Sequence, residues 1–321
     1  MPRFAAIDCG TNSIRLLISD VDITHLDSFT DVIRIMEIIR LGQGVDATGE
    51  LNPAAIERAR QALEKFVSLM KRENVVDVRM VATSATRDAR NKDEFFEMTK
   101  CLLGQIKPGA QAEVISGEQE ARLSFQGAVA DLPVDKAPLC VIDLGGGSTE
   151  FIVGKQASIV GSHSAQMGCV RLSERIMHSD PATPTEIASA RSYIDERLAE
   201  VLGTVPINQA QTFVGCAGTF TTLAALALGL EEYDPQQIHN SILHFDALRV
   251  LTQQLIAETA QQRAGHPVVH PGRADVLASG CLVVEQIMDL IETETGVNQI
   301  RVSEKDILDG IIIDLVSTHI S

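Results

Sequence analysis

One turn pattern occurs twice in the chain and constrains its fold more than any other feature. Asp8-x-Gly10-Thr11-Asn12-Ser13 follows the apolar run Phe4–Ile7 and precedes Ile14–Ile18; Asp143-x-Gly145-Gly146-Gly147-Ser148 follows Leu139–Ile142 and precedes Phe151–Val153. Short apolar runs bounded by glycine turns read as buried strands. Each copy therefore predicts a strand ending in Asp, a turn rich in glycine and hydroxyls, and a returning strand. Helical stretches fill the sequence between the copies, so the pattern predicts α/β layers in two related halves facing one cleft. A length of 321 residues agrees with roughly two domains of about 150 residues each.

The remaining signals fit that scheme. Asn52-Pro53 caps a helix expected over Ala54–Glu73, with Ile56, Leu63, Phe66, Val67 and Met70 on one stripe. Val78–Ala82 reads as a buried strand that ends in the polar turn Thr83–Asn91. Another strand ends at Glu113–Ile115, and Ser116-Gly117-Glu118-Gln119 has capping-box form, predicting a helix from about Gly117 to Ala130. A third glycine turn, Gly215-Cys216-Ala217-Gly218-Thr219, follows Thr212–Val214 and opens a helix over Phe220–Leu228. Pro133–Pro138 and Asp180–Pro184 are the linker candidates.

Composition excludes several classes. With 27 Lys+Arg against 43 Asp+Glu the formal charge is −16, which opposes nucleic-acid binding, because that needs a basic face to displace phosphate counterions. Trp is absent and there are 2 Tyr and 10 Phe, so base-stacking platforms are scarce. No stretch reaches the roughly 20 apolar residues that span a bilayer, and Asp8 interrupts any early signal-peptide core. The six cysteines (9, 101, 140, 169, 216, 281) include no C-x-x-C pair. They read as reduced, mostly buried thiols of a cytoplasmic protein, without zinc.

Three strand ends with Gly plus Ser/Thr turns suit phosphate oxygens, since glycine admits close backbone approach and hydroxyls add donors. The third turn also offers a helix N-terminus. Asp8 and Asp143 sit where α/β strands end, the side on which ligands gather. A carboxylate beside bound phosphate favours Mg²⁺; that role is preferred for Asp143, while Asp8 suits equally a metal or its own loop amides. From spacing alone, Arg87 reads as a salt-bridge partner of Asp88 or Asp93 or as a phosphate fork. Glu118 and Glu120 are accounted for by the helix dipole. Arg263 and Arg273 lie in a polar stretch before an apolar helix, Arg273 being a second possible phosphate contact; His163, His266 and His270 read as surface or satisfied core residues.

At these turns the sequence resembles the exopolyphosphatase / guanosine pentaphosphate phosphohydrolase family, of the actin, sugar-kinase and heat-shock-chaperone fold superfamily. The matching stretches are Ala6–Leu17, Ala82–Asn91, Ile115–Leu123, Val141–Glu150, Gly215–Thr219 and Arg273-Ala274-Asp275, in the family's order. The chain looks like a short, two-domain actinobacterial member, with Thr11 where many members have Ser. The resemblance implies two actin-like (ribonuclease H-like) domains facing one cleft, the first covering 1–125 plus about 303–321 and the second 126–302. It implies Glu120 as general base, with Glu150 helping to place the nucleophile. It also implies Asp143 and Glu150 as ligands of Mg²⁺ or Mn²⁺, to which the strand-end position adds Asp8. Gly10, Thr11, Asn12, Ser13, Arg87, Gly145, Gly146, Gly147, Ser148, Gly218 and Thr219 would bind phosphate. A Glu crowded by other acids would have a raised pKa. The implied substrate is inorganic polyphosphate or, alternatively, guanosine pentaphosphate, and the implied assembly is a homodimer. A phosphotransferase of the same fold and a non-enzymatic nucleotide sensor are the competing readings.

Overall fold

The computed structural model describes residues 1–22, 29–132, 137–155 and 158–320. It divides into two compact units, Met1–Ala130 with Ile307–Ser321, and Asp131–Asp306. The first division falls just before Pro133–Pro138, of which residues 133–136 lie outside the described ones. Asp180–Pro184 is not a boundary. It lies inside the second unit, where Thr183 caps a long helix and Asp180 accepts a hydrogen bond from the Ala260 amide at 2.8 Å.

Unit 1 contains β1 (Arg3–Cys9), β2 (Ser13–Val21), β3 (Phe29–Ile38), α1 (Val45–Thr48), α2 (Pro53–Arg72), β4 (Val75–Ala82), α3 (Ser84–Asp88), α4 (Lys92–Leu103), β5 (Ala112–Val114) and α5 (Gly117–Val129). Unit 2 contains β6 (Leu139–Leu144), β7 (Thr149–Lys155), β8 (Ser158–Ala165), α6 (Cys169–Arg175), α7 (Pro184–Thr204), β9 (Thr212–Cys216), α8 (Ala217–Ala227), α9 (Pro235–Ile238), β10 (Ile242–His244), α10 (Phe245–Ala257), α11 (Ala260–Arg263), α12 (Ala274–Thr295) and β11 (Gln299–Val302). The last helix, α13 (Ile307–Ile320), returns to unit 1.

Both sheets use one plan. In unit 1 the order is β3-β2-β1-β4-β5, with β1–β2–β3 antiparallel and β1–β4–β5 parallel. In unit 2 the order is β10-β11-β9-β6-β7-β8, the same arrangement with β10 added at an edge. The turn pattern repeated in the sequence thus lies in equivalent hairpins, β1–β2 and β6–β7. β1 is buried on both faces, as a central strand between helical layers must be. Ala5 and Ile7 join a core under α2 that includes Leu63 and Phe66. Phe4 and Ala6 join a second core with Leu123, Ile307 and Ile311 of α5 and α13.

The local signals explain the helix ends. Asn52 Oδ1 accepts from the Ala54 amide at 2.9 Å, with Pro53 in the first turn of α2. In α5 the capping box is complete: Ser116 Oγ accepts from the Gln119 amide at 3.1 Å and Gln119 Oε1 accepts from the Ser116 amide at 3.0 Å. The turn expected over Thr83–Asn91 contains the short helix α3. α13 is fastened by ion pairs: Arg34 to the fully buried Asp309 at 2.6 Å, Arg122 to Asp314 at 2.9 Å, and Arg79 to Asp314. At Gly310 a Cβ would lie 2.0 Å from the Leu123 carbonyl oxygen, so only glycine permits this approach of α13 to α5. Among the described residues no helix is long and apolar enough to cross a membrane.

Candidate active site

The first hairpin turn is held by its carbonyls. The Gly10 amide donates to the Ser13 carbonyl at 3.0 Å and closes the turn. The Thr11 carbonyl accepts from Gly42, and the Asn12 carbonyl accepts from Ile39 and Arg40, at 2.8–3.0 Å. Arg58 of α2 supports that second segment by donating to the Ile39 carbonyl at 2.7 Å. Asp8 lies opposite Arg15 in the β1–β2 register. Its Oδ2 accepts from Arg15 Nε at 3.0 Å and Nη2 at 2.8 Å. Asp8 Oδ2 is thus engaged by the guanidinium of its own hairpin.

The strand ends of β4 and β5 bring Arg87 and Glu120 together. The Thr83 amide donates to the Cys9 carbonyl and the Ile115 amide to the Ala82 carbonyl, which ties the ends of β1, β4 and β5 into a row. Arg87 Nη1 then donates to Glu120 Oε2 at 2.6 Å and to the Ile115 carbonyl at 3.0 Å. Its partner is therefore neither Asp88 nor Asp93. Glu120 is buried although it lies in the first turn of a helix, a position where the dipole alone would leave it solvated. One group touching it is the Arg87 guanidinium.

In the second hairpin Asp143 stands opposite Glu150 in the β6–β7 register. Directly opposed residues share a sheet face with Cβ atoms about 4.5–5.5 Å apart. Both are buried, and Glu150 Oε1 accepts from Ser164 Oγ of β8 at 2.7 Å. Two acids at that spacing are an all-oxygen donor pair suited to a hard divalent cation, which commonly uses one or two carboxylates and retains water. Among the described residues no group of three His, Cys, Asp or Glu gathers as a metal cluster. The turn itself repeats the first: the Gly145 amide donates to the Ser148 carbonyl at 3.0 Å.

At the third turn Gly218, Thr219 and Arg273 meet. A Cβ on Gly218 would lie 1.6 Å from Arg273 Nη1, so the guanidinium rests directly on the glycine. Ala217, at φ 66, is a non-glycine residue in the left-handed region, a costly conformation that concentrates at functional sites. Thr219 is buried with its hydroxyl facing Gly280. Arg263 belongs elsewhere. It is buried and donates to the Ala274 and Leu255 carbonyls at 2.6 and 3.0 Å, as a structural residue. His266 pairs with Glu258 at 2.9 Å. Arg15, Gly168 and Arg171 also contact these turns; their roles emerge only from cross-strand register and from contacts between turn and helix.

Paired sheets of this order, each with a glycine–hydroxyl turn inside its first hairpin, define an actin-like, ribonuclease H-like fold. The chain belongs to the Ppx/GppA phosphatase family, whose profile matches residues 17–319. It is 51% identical to exopolyphosphatase 2 of Mycobacterium tuberculosis over 316 residues, covering 98% of this chain and 99% of that protein. It is 30% identical to a guanosine-5'-triphosphate,3'-diphosphate pyrophosphatase of Vibrio atlanticus, covering 92% of this chain and 56% of that longer protein. A crystal structure of an exopolyphosphatase-like protein superimposes with a TM-score of 0.91 at 36% identity, covering 99% of both chains.

Proposed function

We propose that the protein is an exopolyphosphatase that removes terminal phosphate from inorganic polyphosphate by hydrolysis. The observation that carries this reading is the near-complete, 51% identical match to the Mycobacterium exopolyphosphatase. In this reading Glu120, held by Arg87, accepts a proton from the attacking water. Arg87 and the turns at Gly10–Ser13, Gly145–Ser148 and Gly218–Thr219 hold phosphate oxygens, with Arg273 beside the third. Asp143 and Glu150 hold Mg²⁺ or Mn²⁺, which when bound neutralises developing charge on the phosphoryl oxygens. Glu150, oriented by Ser164, also orders the nucleophilic water. Catalysis is then mostly placement and charge compensation. Five of the six cysteines are buried and all six are free, which suits the reducing cytoplasm. A homodimer is the proposed assembly, to be checked by sedimentation equilibrium.

The second reading, hydrolysis of guanosine pentaphosphate, has support in the likeness to the Vibrio pyrophosphatase. Phosphate release from medium-chain polyphosphate and from guanosine pentaphosphate, each with Mg²⁺ and with Glu120→Gln as blank, separates the two. Release mainly from polyphosphate, lost in Glu120→Gln while polyphosphate binding survives, is expected. Release mainly from the nucleotide would replace the substrate and retain the site. Release from neither would overturn both and direct the test to phosphate transfer onto ADP.

A further inference from the structure

The turn Gly145–Ser148 is gripped from one side by α6 and the residue before it. The Gly145 carbonyl accepts from the Cys169 amide at 3.1 Å, and the Gly146 carbonyl from the Val170 and Arg171 amides at 2.9 and 3.1 Å. The Gly147 carbonyl accepts from the Gly168 amide at 3.2 Å and from the Arg171 side chain, Nε, at 2.7 Å. Three successive carbonyls therefore point toward the start of α6. In a planar trans peptide the carbonyl and the following N–H point in opposite directions. The amides of Gly146, Gly147 and Ser148 consequently face away from α6, as a row of donors of the kind that binds anions. At Gly168 a Cβ would lie 2.2 Å from the Gly146 carbonyl group and 2.4 Å from the Gly147 nitrogen. Gly168 has φ −89 and ψ 161, an extended conformation open to any residue. Its glycine is required by this contact and not by its own backbone.

We propose that Arg171 and Gly168 are positioning residues for the second phosphate turn, orienting its three amides toward the substrate without themselves being catalytic. The inference rests on the reading of Gly145–Ser148 as a phosphate cradle and adds what aims it. The first turn differs: backbone amides of Ile39, Arg40 and Gly42 hold its carbonyls. In the second, the charged side chain of Arg171 in α6 also takes part.

The test uses the full chain with Mg²⁺ and polyphosphate. Arg171→Met and, independently, Gly168→Ala are expected to raise KM and to lower kcat/KM on the order of 10²-fold, the scale of an ångström-level misplacement. Hydrogen exchange of the peptide covering 144–150 should quicken in both variants without substrate. Arg171→Lys, which can still donate to the Gly147 carbonyl, should recover most of the loss. Arg175→Met, on the same helix but paired with Tyr193 at 3.2 Å, should behave as wild type. If Ser148→Ala raises KM while Arg171→Met and Gly168→Ala leave both KM and exchange unchanged, the positioning role is overturned and the cradle stands. If Ser148→Ala also has no effect, the cradle reading itself fails.

Discussion

In the first hairpin the residue opposite the strand-end aspartate is Arg15; in the second it is Glu150. The spacing is the same, 8 to 15 and 143 to 150, and both turns close with the same amide-to-carbonyl bond at 3.0 Å. One exchange of side chain thus gives the two copies opposite electrostatics. Asp8 carries its counter-cation in the chain, as a guanidinium sharing one carboxylate oxygen. Asp143 and Glu150 place two acids on one sheet face. The residue facing the aspartate is therefore what differs between two copies of one backbone device.

Several outcomes would sharpen or break that contrast. The largest effect is expected for Glu150→Gln, which halves the acid pair. Activity should fall by about 10³-fold or more, as loss of several kcal/mol of charge stabilisation implies. The rise in melting temperature on adding Mg²⁺ without substrate should also vanish. Asp143→Asn should behave likewise, whereas Asp8→Asn should keep the Mg²⁺-induced shift. A shift lost in Asp8→Asn would make the first hairpin a metal site as well.

Arg15→Met comes next. Removing one partner of a buried pair leaves its charge uncompensated. Arg15 keeps 19% of its side chain exposed, so denaturant unfolding should show a loss of about 2–3 kcal/mol, below the fully buried case. The double variant Asp8→Asn, Arg15→Met should recover most of it, because no lone charge remains. If the double variant is no better than the single, Arg15 contributes by packing and the electrostatic contrast weakens.

The smallest effect concerns thiols and is absent at pH 7. Burial pushes the Cys9 thiol well above its usual range, and the charge of Asp8 pushes it further. Burial also raises Cys140, and raises Cys169 to about 11. A thiol whose value is higher in the fold favours folding fully below its unfolded value of about 8.5. That contribution is lost as pH rises from there through the folded value. Stability should therefore decline above about pH 8.5 by up to about 1.4 kcal/mol per pH unit for each such thiol. Cys9→Ala and Cys140→Ala should each flatten the decline, measured by urea unfolding between pH 8 and 10. An unchanged slope in Cys9→Ala would show that its thiol does not titrate with unfolding.

Much of the architecture was legible because it rests on local chemistry. The Asn52-Pro53 start, the Ser116–Gln119 capping box and the glycine turns act within a few residues, and hairpins follow when two apolar runs flank such a turn. Asp143 and the turn glycines were legible because type and spacing repeat, whereas Glu150 entered only through the family resemblance. Arg15 was visible in the chain, but its role was not, since cross-strand register depends on where the turn closes. The same holds for Glu120. Its position suits the helix dipole, and only the arrival of Arg87 from the end of β4 buries it as half of an ion pair. Arg263, a cation in a polar stretch of the sequence, proves to be a buried clamp on three carbonyls, two at the end of α10 and one in α12.

The sequence by itself determined the two hairpins, their turns, the capped helices and the acids at the strand ends, because these depend on residue type over short spans. Only the tertiary structure decided that Asp8 pairs with Arg15, that Glu120 is held by Arg87, and that α6 grips the second turn. Those outcomes depend on side chains distant in the chain meeting at hydrogen-bond distance, and such meetings are set by sheet register and helix packing rather than by local propensity.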